Sequence, residues 1–131
     1  MPLWWISNLC RHLLDDLGQH SLHRNLPTEP PAGTEEKYPD LRRLFIGSLY
    51  ARKTSEVELW PSQREAARRS TDVTDDLVVA LPTSAGKTRV AEIAALMTLS
   101  SARRVLIVTP LRALSAQTER SFRKTFAPLG F

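Results

Sequence analysis

Residues 81–88 read Leu81-Pro-Thr-Ser-Ala-Gly-Lys-Thr88 and follow the apolar run Leu77–Leu81. An apolar, helix-like run from Arg89 to Leu99 comes directly after them. A strand, a loop of small residues that ends in Gly-Lys-Thr, and then a helix is the order that a phosphate-binding loop requires. Small residues let consecutive backbone N–H groups point at one anion, and the helix adds the positive end of its dipole. The sequence therefore predicts a phosphate site at these residues.

The pattern gives a role to each of the last residues of this loop. Four consecutive backbone N–H groups would form the phosphate cradle, those of Thr83, Ser84, Ala85 and Gly86. Lys87 would place its charge on the β- and γ-phosphates of ATP, and the Thr88 hydroxyl would bind Mg²⁺. Lys87 and Thr88 are thus the catalytic candidates, and Thr88 is the metal ligand. The strict pattern has glycine at position 81, where this chain has leucine, so a chance Gly-Lys-Thr on a surface turn is the alternative.

The composition excludes several classes of protein. The 131 residues are 42% hydrophobic and 24% charged, as in ordinary globular domains. The single cysteine, Cys10, excludes an internal disulfide framework and suits a reducing compartment. We find no membrane-length apolar run and no signal peptide, so we expect no membrane partner. We expect a cytoplasmic, nucleoid or nuclear location rather than secretion, and no zinc, because the cysteine and the histidines are poorly spaced as ligands.

Changes in composition divide the chain into four segments. Residues 1–20 form an amphipathic helix, and residues 21–38 form a proline-rich linker. Residues 39–58 form a short helix and a connector. Residues 59–131 form the first half of an ATP-binding domain, in which Pro61 opens a helix that runs to about residue 70.

The predicted fold class is α/β with a parallel sheet. The apolar runs Leu77–Leu81 and Val105–Thr109 are predicted strands, and each is followed by a predicted helix. This strand-helix-strand-helix order is typical of a right-handed βαβ unit. Two strands are fewer than an open sheet of this kind normally has, so the domain is expected to be incomplete.

Three blocks between Leu59 and Phe126 carry a resemblance to a known family. The segment LWPSQREAA, residues 59–67, resembles the Q motif of superfamily-two helicases. The segment ALPTSAGKTRVAEIAAL, residues 80–96, resembles motif I, and IVTPLRALSAQ, residues 107–117, resembles motif Ia. The residues of these blocks are most similar to the Ski-type DExH branch, in which leucine at position 81 is not anomalous. The resemblance implies the N-terminal part of the first RecA-like domain of an ATP-dependent helicase or translocase, preceded by a helical extension.

The resemblance also implies roles for residues outside the loop. Gln63 matches the glutamine that reads adenine, and Thr109, Pro110 and Arg112 match the residues that contact the nucleic-acid backbone. Partners would then be DNA or RNA and the remainder of the helicase, including a second RecA-like domain. Residues 101–131 hold six basic side chains against one acidic, a net charge of +5 where the whole chain has +4. Such a local excess favours phosphate binding, although a solvated helix face has the same composition.

The metal-binding carboxylates of the family are missing from these residues. No Asp-Glu-x-Asp or Asp-Glu-x-His element follows the loop. Because phosphoryl transfer depends on positioning and charge neutralisation, we expect the chain alone to be inactive. Two alternatives stay open, namely another P-loop enzyme such as a nucleotide kinase, and a truncated, non-catalytic interaction module built on the helix Trp4–Leu17.

Overall fold

The computed structural model describes residues 2–54, 56–81 and 84–131, with no description of the side chains of residues 84 and 85. Within these residues the chain forms six α-helices and a 3-10 turn. They are α1 (Leu3–His20), α2 (Leu22–Asn25), α3 (Tyr38–Tyr50), α4 (Pro61–Arg69), α5 (Ser84–Ser100), α6 (Arg112–Phe126) and the turn Ala127–Leu129. None of the helices in the described part is long and apolar enough to cross a membrane.

The core lies where α3, α5 and α6 meet. The Phe45 and Phe126 rings are 5.9 Å apart between centroids, and Phe122 stacks on Phe126 at 5.7 Å. Ile93 and Leu96 of α5 are completely buried beside them. Each buried side chain of this size contributes about 1.5–3 kcal/mol to the free energy of unfolding. Helix α5, which contains the Gly-Lys-Thr sequence, is therefore the central helix of the domain.

The segment that leads from α1 to α3 packs against the connector before α4. Leu22 and Leu26 are buried. The Leu22 N–H donates to the Val57 carbonyl at 2.8 Å, and the Leu59 N–H donates to the His20 carbonyl at 2.7 Å. These bonds hold the two chain segments side by side at one isolated β-bridge.

Helix α1 exposes its apolar face. None of its residues is buried. The apolar side chains recur at helical spacing and are all at least 44% exposed: Leu3, Trp4, Trp5, Ile6, Leu9, Leu13, Leu14 and Leu17. The helix is thus amphipathic, with its apolar side open to solvent.

The predicted parallel sheet is wrong for the residues that the structure describes. Leu77–Leu81 and Val105–Thr109 belong to no helix, and neither is a strand. We call them the extended segments, because their exposure alternates from residue to residue as in an extended chain. A strand is defined by ladder hydrogen bonds to a neighbour, and no described backbone bond of this kind joins these segments. The RecA-like strand-helix-strand-helix arrangement is therefore not present among the described residues.

One side of the second extended segment lies beside the helices. Val105 and Ile107 are 39% and 44% exposed, whereas Leu106 and Val108 are 88% and 84% exposed. Val105 and Ile107 line a cavity of about 700 Å³ beside α5 and α6. The alternation shows that one side of the segment faces the helices while the other side faces solvent, and this accounts for its extended but unpaired backbone.

The C-terminus of α5 ends in a strained turn. Ala102 has φ of +55°, which is the left-handed region that normally favours glycine. The Ala102 N–H donates to the Leu99 carbonyl at 3.0 Å, and the Arg103 N–H donates to the Thr98 carbonyl at 3.1 Å. This is a Schellman motif, which reverses the chain at residue 102 and starts the second extended segment.

Four charged side chains form a closed ring, called the ion ring below, between α5 and the segment after α3. Glu56 Oε2 lies 2.5 Å from Arg52 Nη1 and 2.5 Å from Arg89 Nη2. Glu92 lies 2.5 Å from Arg89 Nη1 and 3.7 Å from Arg52 Nη2. Because two positive and two negative charges alternate, no buried charge in the ring lacks an opposite neighbour. An unpaired buried charge would cost about 3–5 kcal/mol.

The Tyr38 hydroxyl predicts a loss of stability in base. Burial raises the pKa of Tyr38 to about 12, and its hydroxyl donates to the Pro27 carbonyl at 2.8 Å. An unfolded tyrosine ionises near pH 10, so the stability contributed by the neutral hydroxyl falls as pH rises from about 10 to about 12. Urea denaturation across this range should show a smaller loss for Tyr38→Phe than for wild type. Tyr50→Phe, at an exposed position on the same helix, serves as the control. Equal pH dependence of wild type and Tyr38→Phe would contradict the assignment.

Candidate nucleotide and nucleic-acid sites

The Gly-Lys-Thr sequence lies in the first turns of α5. The extended segment ends at Leu81, residues 82 and 83 lie outside the described part, and α5 begins at Ser84. The helix thus starts more than one turn before Arg89, where the helix-like run of the sequence begins. The first backbone N–H groups of any helix have no acceptor within it and carry the positive end of its dipole. Of the four predicted cradle residues, Thr83 lies outside the description, and the other three lie in this first turn.

Gln63 connects the Q-motif block to this turn. Its side chain is buried, and its Nε2 donates to the Gly86 carbonyl at 3.2 Å. Its Oε1 accepts a hydrogen bond of 2.7 Å from the Trp60 N–H, which caps the first turn of α4. Both ends of the amide are therefore engaged within the protein. The structure thus brings Gln63 of the first block and Gly86 of the second block together.

Lys87 is exposed beside a cavity of about 400 Å³ that Asp72 and Asp75 also line. Asp75 accepts two hydrogen bonds of 2.9 Å from Arg69. The hydroxyl and backbone N–H of Thr74 both donate to Asp72, and they hold the pKa of that carboxyl below its ordinary value. Both carboxylates are thus satisfied by other residues, so neither needs the Lys87 ammonium as its partner.

Thr88 is the one side chain that the sequence predicts as a metal donor. Thr88 is half-buried on α5. Among the described residues, no group of three or more His, Cys, Asp or Glu side chains is placed to hold a metal ion. Mg²⁺ prefers about six oxygen ligands and commonly takes most of them from water and phosphate. The residues therefore suit Mg²⁺ that arrives with a nucleotide, and they do not form a metal cage of their own.

The residues predicted to contact nucleic acid lie at the start of α6. Thr109 and Pro110 end the second extended segment, and Arg112 is the first residue of α6. The Thr109 hydroxyl pairs with the Ser115 hydroxyl one turn into the helix. Leu111, the N-cap residue, offers no side-chain acceptor to the first N–H groups of α6. An exposed arginine beside open helix N–H groups is a chemically suitable contact for a backbone phosphate.

Sequence reasoning missed the ion ring. Arg89 and Glu92 are 8% and 1% exposed, and both stand in a helix whose other inner residues are apolar. The sequence held one signal, a pair of charged residues at i and i+3 within an apolar run. Such a pair indicates a buried ion pair, because charged side chains are rarely buried without partners. Their other partners, Arg52 and Glu56, lie more than thirty residues earlier, and no local pattern identifies them.

The comparisons define the class of protein. A family model described as DEAD/DEAH box helicase matches residues 60–131. The match covers more than half of the chain, and the chain belongs to the DEAD/DEAH box helicase family. The predicted residues from Gln63 to Arg112 all lie within the matched range.

Individual relatives confirm the resemblance to the Ski-type DExH branch. A DExH-box ATP-dependent RNA helicase of Arabidopsis thaliana, DExH15, chloroplastic, is 54% identical over 50 residues, which are 38% of this chain and 4% of that protein. Superkiller complex protein 2 of Homo sapiens is 30% identical over 106 residues, 78% of this chain and 8% of that protein. The Hachiman protein HamB of Bacillus cereus is 28% identical over 131 residues, 98% of this chain and 11% of that protein. The chain thus spans a small part of the length of these relatives.

Replacing Gln63 tests the connection between α4 and α5. Gln63→Ala removes the acceptor of the Trp60 N–H and the donor to Gly86, and should lower the free energy of unfolding by about 1–3 kcal/mol. Urea denaturation followed by circular dichroism measures the change. Gln117→Ala, at an exposed position of α6, is the matched control and should change stability by less than about 0.5 kcal/mol. Equal effects of the two substitutions would show that the hydrogen bonds of Gln63 do not support the fold.

Proposed function

We propose that this chain is part of an ATP-dependent nucleic-acid helicase or translocase. It binds ATP with Mg²⁺ at the start of α5 and the nucleic-acid backbone at Thr109, Pro110 and Arg112. The observation that carries the proposal is the hydrogen bond from Gln63 to Gly86. It joins the two nucleotide-related blocks of a DEAD/DEAH box sequence in one place.

The N-terminus of α5 supplies the phosphate chemistry. Backbone N–H groups of Ser84, Ala85 and Gly86 in the first helical turn point their dipole toward an anion. The exposed Lys87 ammonium neutralises charge on the β- and γ-phosphates, and the Thr88 hydroxyl completes the shell of the nucleotide-bound Mg²⁺. Bound ATP·Mg²⁺ supplies the phosphoanhydride whose hydrolysis would drive translocation in the whole protein.

Adenine recognition by Gln63 would be an exchange of hydrogen bonds. The amide has one acceptor and one donor group, a suitable complement to the donor and acceptor edge of adenine. Both groups are already bonded, to Trp60 and to Gly86. One N–H and one lone pair of the amide stay unused, but the side chain is buried. Reading the base would therefore require Gln63 to turn toward the nucleotide and to release at least one of these bonds. Releasing Gly86 would connect the presence of adenine to the first turn of α5.

One of the two alternative functions has a structural feature in its favour. Partner binding through α1 is a second candidate, favoured by the open apolar face of that helix. A nucleotide kinase would need acceptor-binding elements of its own, and no observation in the described residues favours it.

Lys87→Ala tests the nucleotide site. A fluorescent ATP analogue with Mg²⁺ should bind the 131-residue chain weakly, and the substitution should raise the dissociation constant about tenfold or more by removing the phosphate-facing charge. Lys53→Ala, at an exposed position outside the site, is the control and should leave binding unchanged. ATP turnover should be absent from all three proteins, because no Asp-Glu-x-Asp or Asp-Glu-x-His element is present. Turnover by the wild type that Lys87→Ala abolishes would refute the last expectation.

Arg112→Ala tests the nucleic-acid site. Loss of one phosphate contact should weaken single-strand binding equally for all sequences, and should reduce the slope of log affinity against log salt by about 0.7. Fluorescence anisotropy with a labelled oligonucleotide at several salt concentrations measures both quantities. Arg11→Ala changes the net charge equally on α1 and should have a smaller effect. The same loss in both variants would show that net charge alone accounts for binding.

A further inference from the structure

The ion ring reaches the nucleotide turn from outside the matched helicase range. Arg52 and Glu56 precede residue 60, where the family match begins. Arg89 and Glu92 belong to α5, and Arg89 lies two residues after Lys87. The ring therefore joins a segment that the helicase match does not include to the turn that carries the phosphate-binding lysine.

Helix α6 also contacts the ion ring. Arg52 donates a hydrogen bond of 2.5 Å to the Thr125 hydroxyl of α6, and this hydroxyl donates to Glu92 Oε1 at 2.7 Å. Thr125 is completely buried, and Glu92 is 1% exposed. Glu92 thus accepts hydrogen bonds from α5 and α6, and it forms an ion pair with Arg52 of the segment after α3. The buried end of the ring is therefore held by contacts from three parts of the chain.

The ring and Gln63 hold the first turns of α5 at separate points. Successive helical residues are about 100° apart, so Arg89 points about 160° away from Lys87 around the axis. The ring holds the side of the helix that faces α6, and Gln63 holds the Gly86 carbonyl. A rotation or shift of the turn that moved Lys87 would have to break one of these attachments.

We propose that the ion ring is a positioning device for the nucleotide site. Arg52 and Glu56 hold Arg89, and through it they fix the orientation of the first turns of α5, so that the segment before residue 60 sets the affinity for ATP·Mg²⁺. The proposal rests on the nucleotide site proposed above. Glu56, Arg52 and Arg89 act through the helix and have no direct contact with the nucleotide.

The sign of the electrostatic effect separates positioning from charge. The ring is neutral, and Glu56→Gln would leave two arginines against one carboxylate. An added positive charge near the site would by itself attract the phosphates and strengthen binding. If the ring acts by geometry, the same substitution weakens binding, because Arg89 loses one of its two carboxylates. The direction of the change therefore distinguishes the two mechanisms.

Glu56 is the suitable position for the test because its side chain is 42% exposed, whereas that of Glu92 is buried. We would compare wild type, Glu56→Gln, Glu56→Asp and the control Glu119→Gln. Glu119 forms an exposed pair with Arg123 on α6. Circular dichroism establishes that each variant is folded, and Glu56→Asp keeps the carboxylate in case Glu56→Gln does not fold.

Two readouts decide the proposal. Hydrogen–deuterium exchange of the peptide covering residues 84–92, without nucleotide, should be faster in Glu56→Gln than in wild type and Glu119→Gln. The dissociation constant of a fluorescent ATP analogue with Mg²⁺ should rise about fivefold in Glu56→Gln. It should rise less in Glu56→Asp, and it should be unchanged in Glu119→Gln.

Each other outcome has a definite meaning. Unchanged exchange, or tighter nucleotide binding, in Glu56→Gln overturns the positioning role. Faster exchange with unchanged affinity also overturns it, because the turn would then move without consequence for the site. If Lys87→Ala leaves binding unchanged, the proposed nucleotide site itself fails, and the exchange measurement still shows whether the ring holds the turn.

Discussion

Burying a charge requires opposite charge and hydrogen bonds at the same place, and the centre of this domain meets that requirement with the ion ring. Glu92 is deeply buried between α5 and α6, and it is tolerated there because Arg52, Arg89 and Thr125 surround it. The same contacts fix the position of α5 relative to the segment after α3. The apolar residues on both sides of the ring then pack around an orientation that the charges define.

Helix α5 connects this polar centre to the chemistry of the family. Its inner residues pack on α3 and α6, and its first turns carry the Gly-Lys-Thr sequence. Gln63, in a neighbouring short helix, donates to the first turn. The end of the helix that carries the Gly-Lys-Thr sequence is consequently supported by tertiary contacts on more than one side, while Lys87 stays exposed. A rigid helix with one open, charged end is well suited to hold an anion.

The sequence predicted local features of this chain better than its long-range pairing. Pro61 marks the start of α4 correctly, because its fixed φ and missing N–H suit the first helical position. The family was predicted correctly from three ordered blocks, and the family match confirms it. The predicted parallel sheet was wrong. An apolar, β-branched run such as Val105–Thr109 favours a strand, but a strand also needs a neighbouring chain segment as its hydrogen-bonding partner, and the run itself does not identify that segment. The roles of the individual site residues stay predictions. The ring was missed because Arg52 and Arg89 meet only after the chain has folded.

The ion ring also constrains how this sequence can diverge. An apolar residue in place of Arg89 would leave Glu92 buried with fewer counter-charges, a change that selection would remove unless a second substitution accompanied it. Positions 52, 56, 89 and 92 should therefore be inherited as a set, either all charged or all replaced. Recombination that exchanged the helicase segment at residue 60 would separate two members of the set from the other two. An exchange that keeps the four positions together would have to join earlier in the chain, before Arg52.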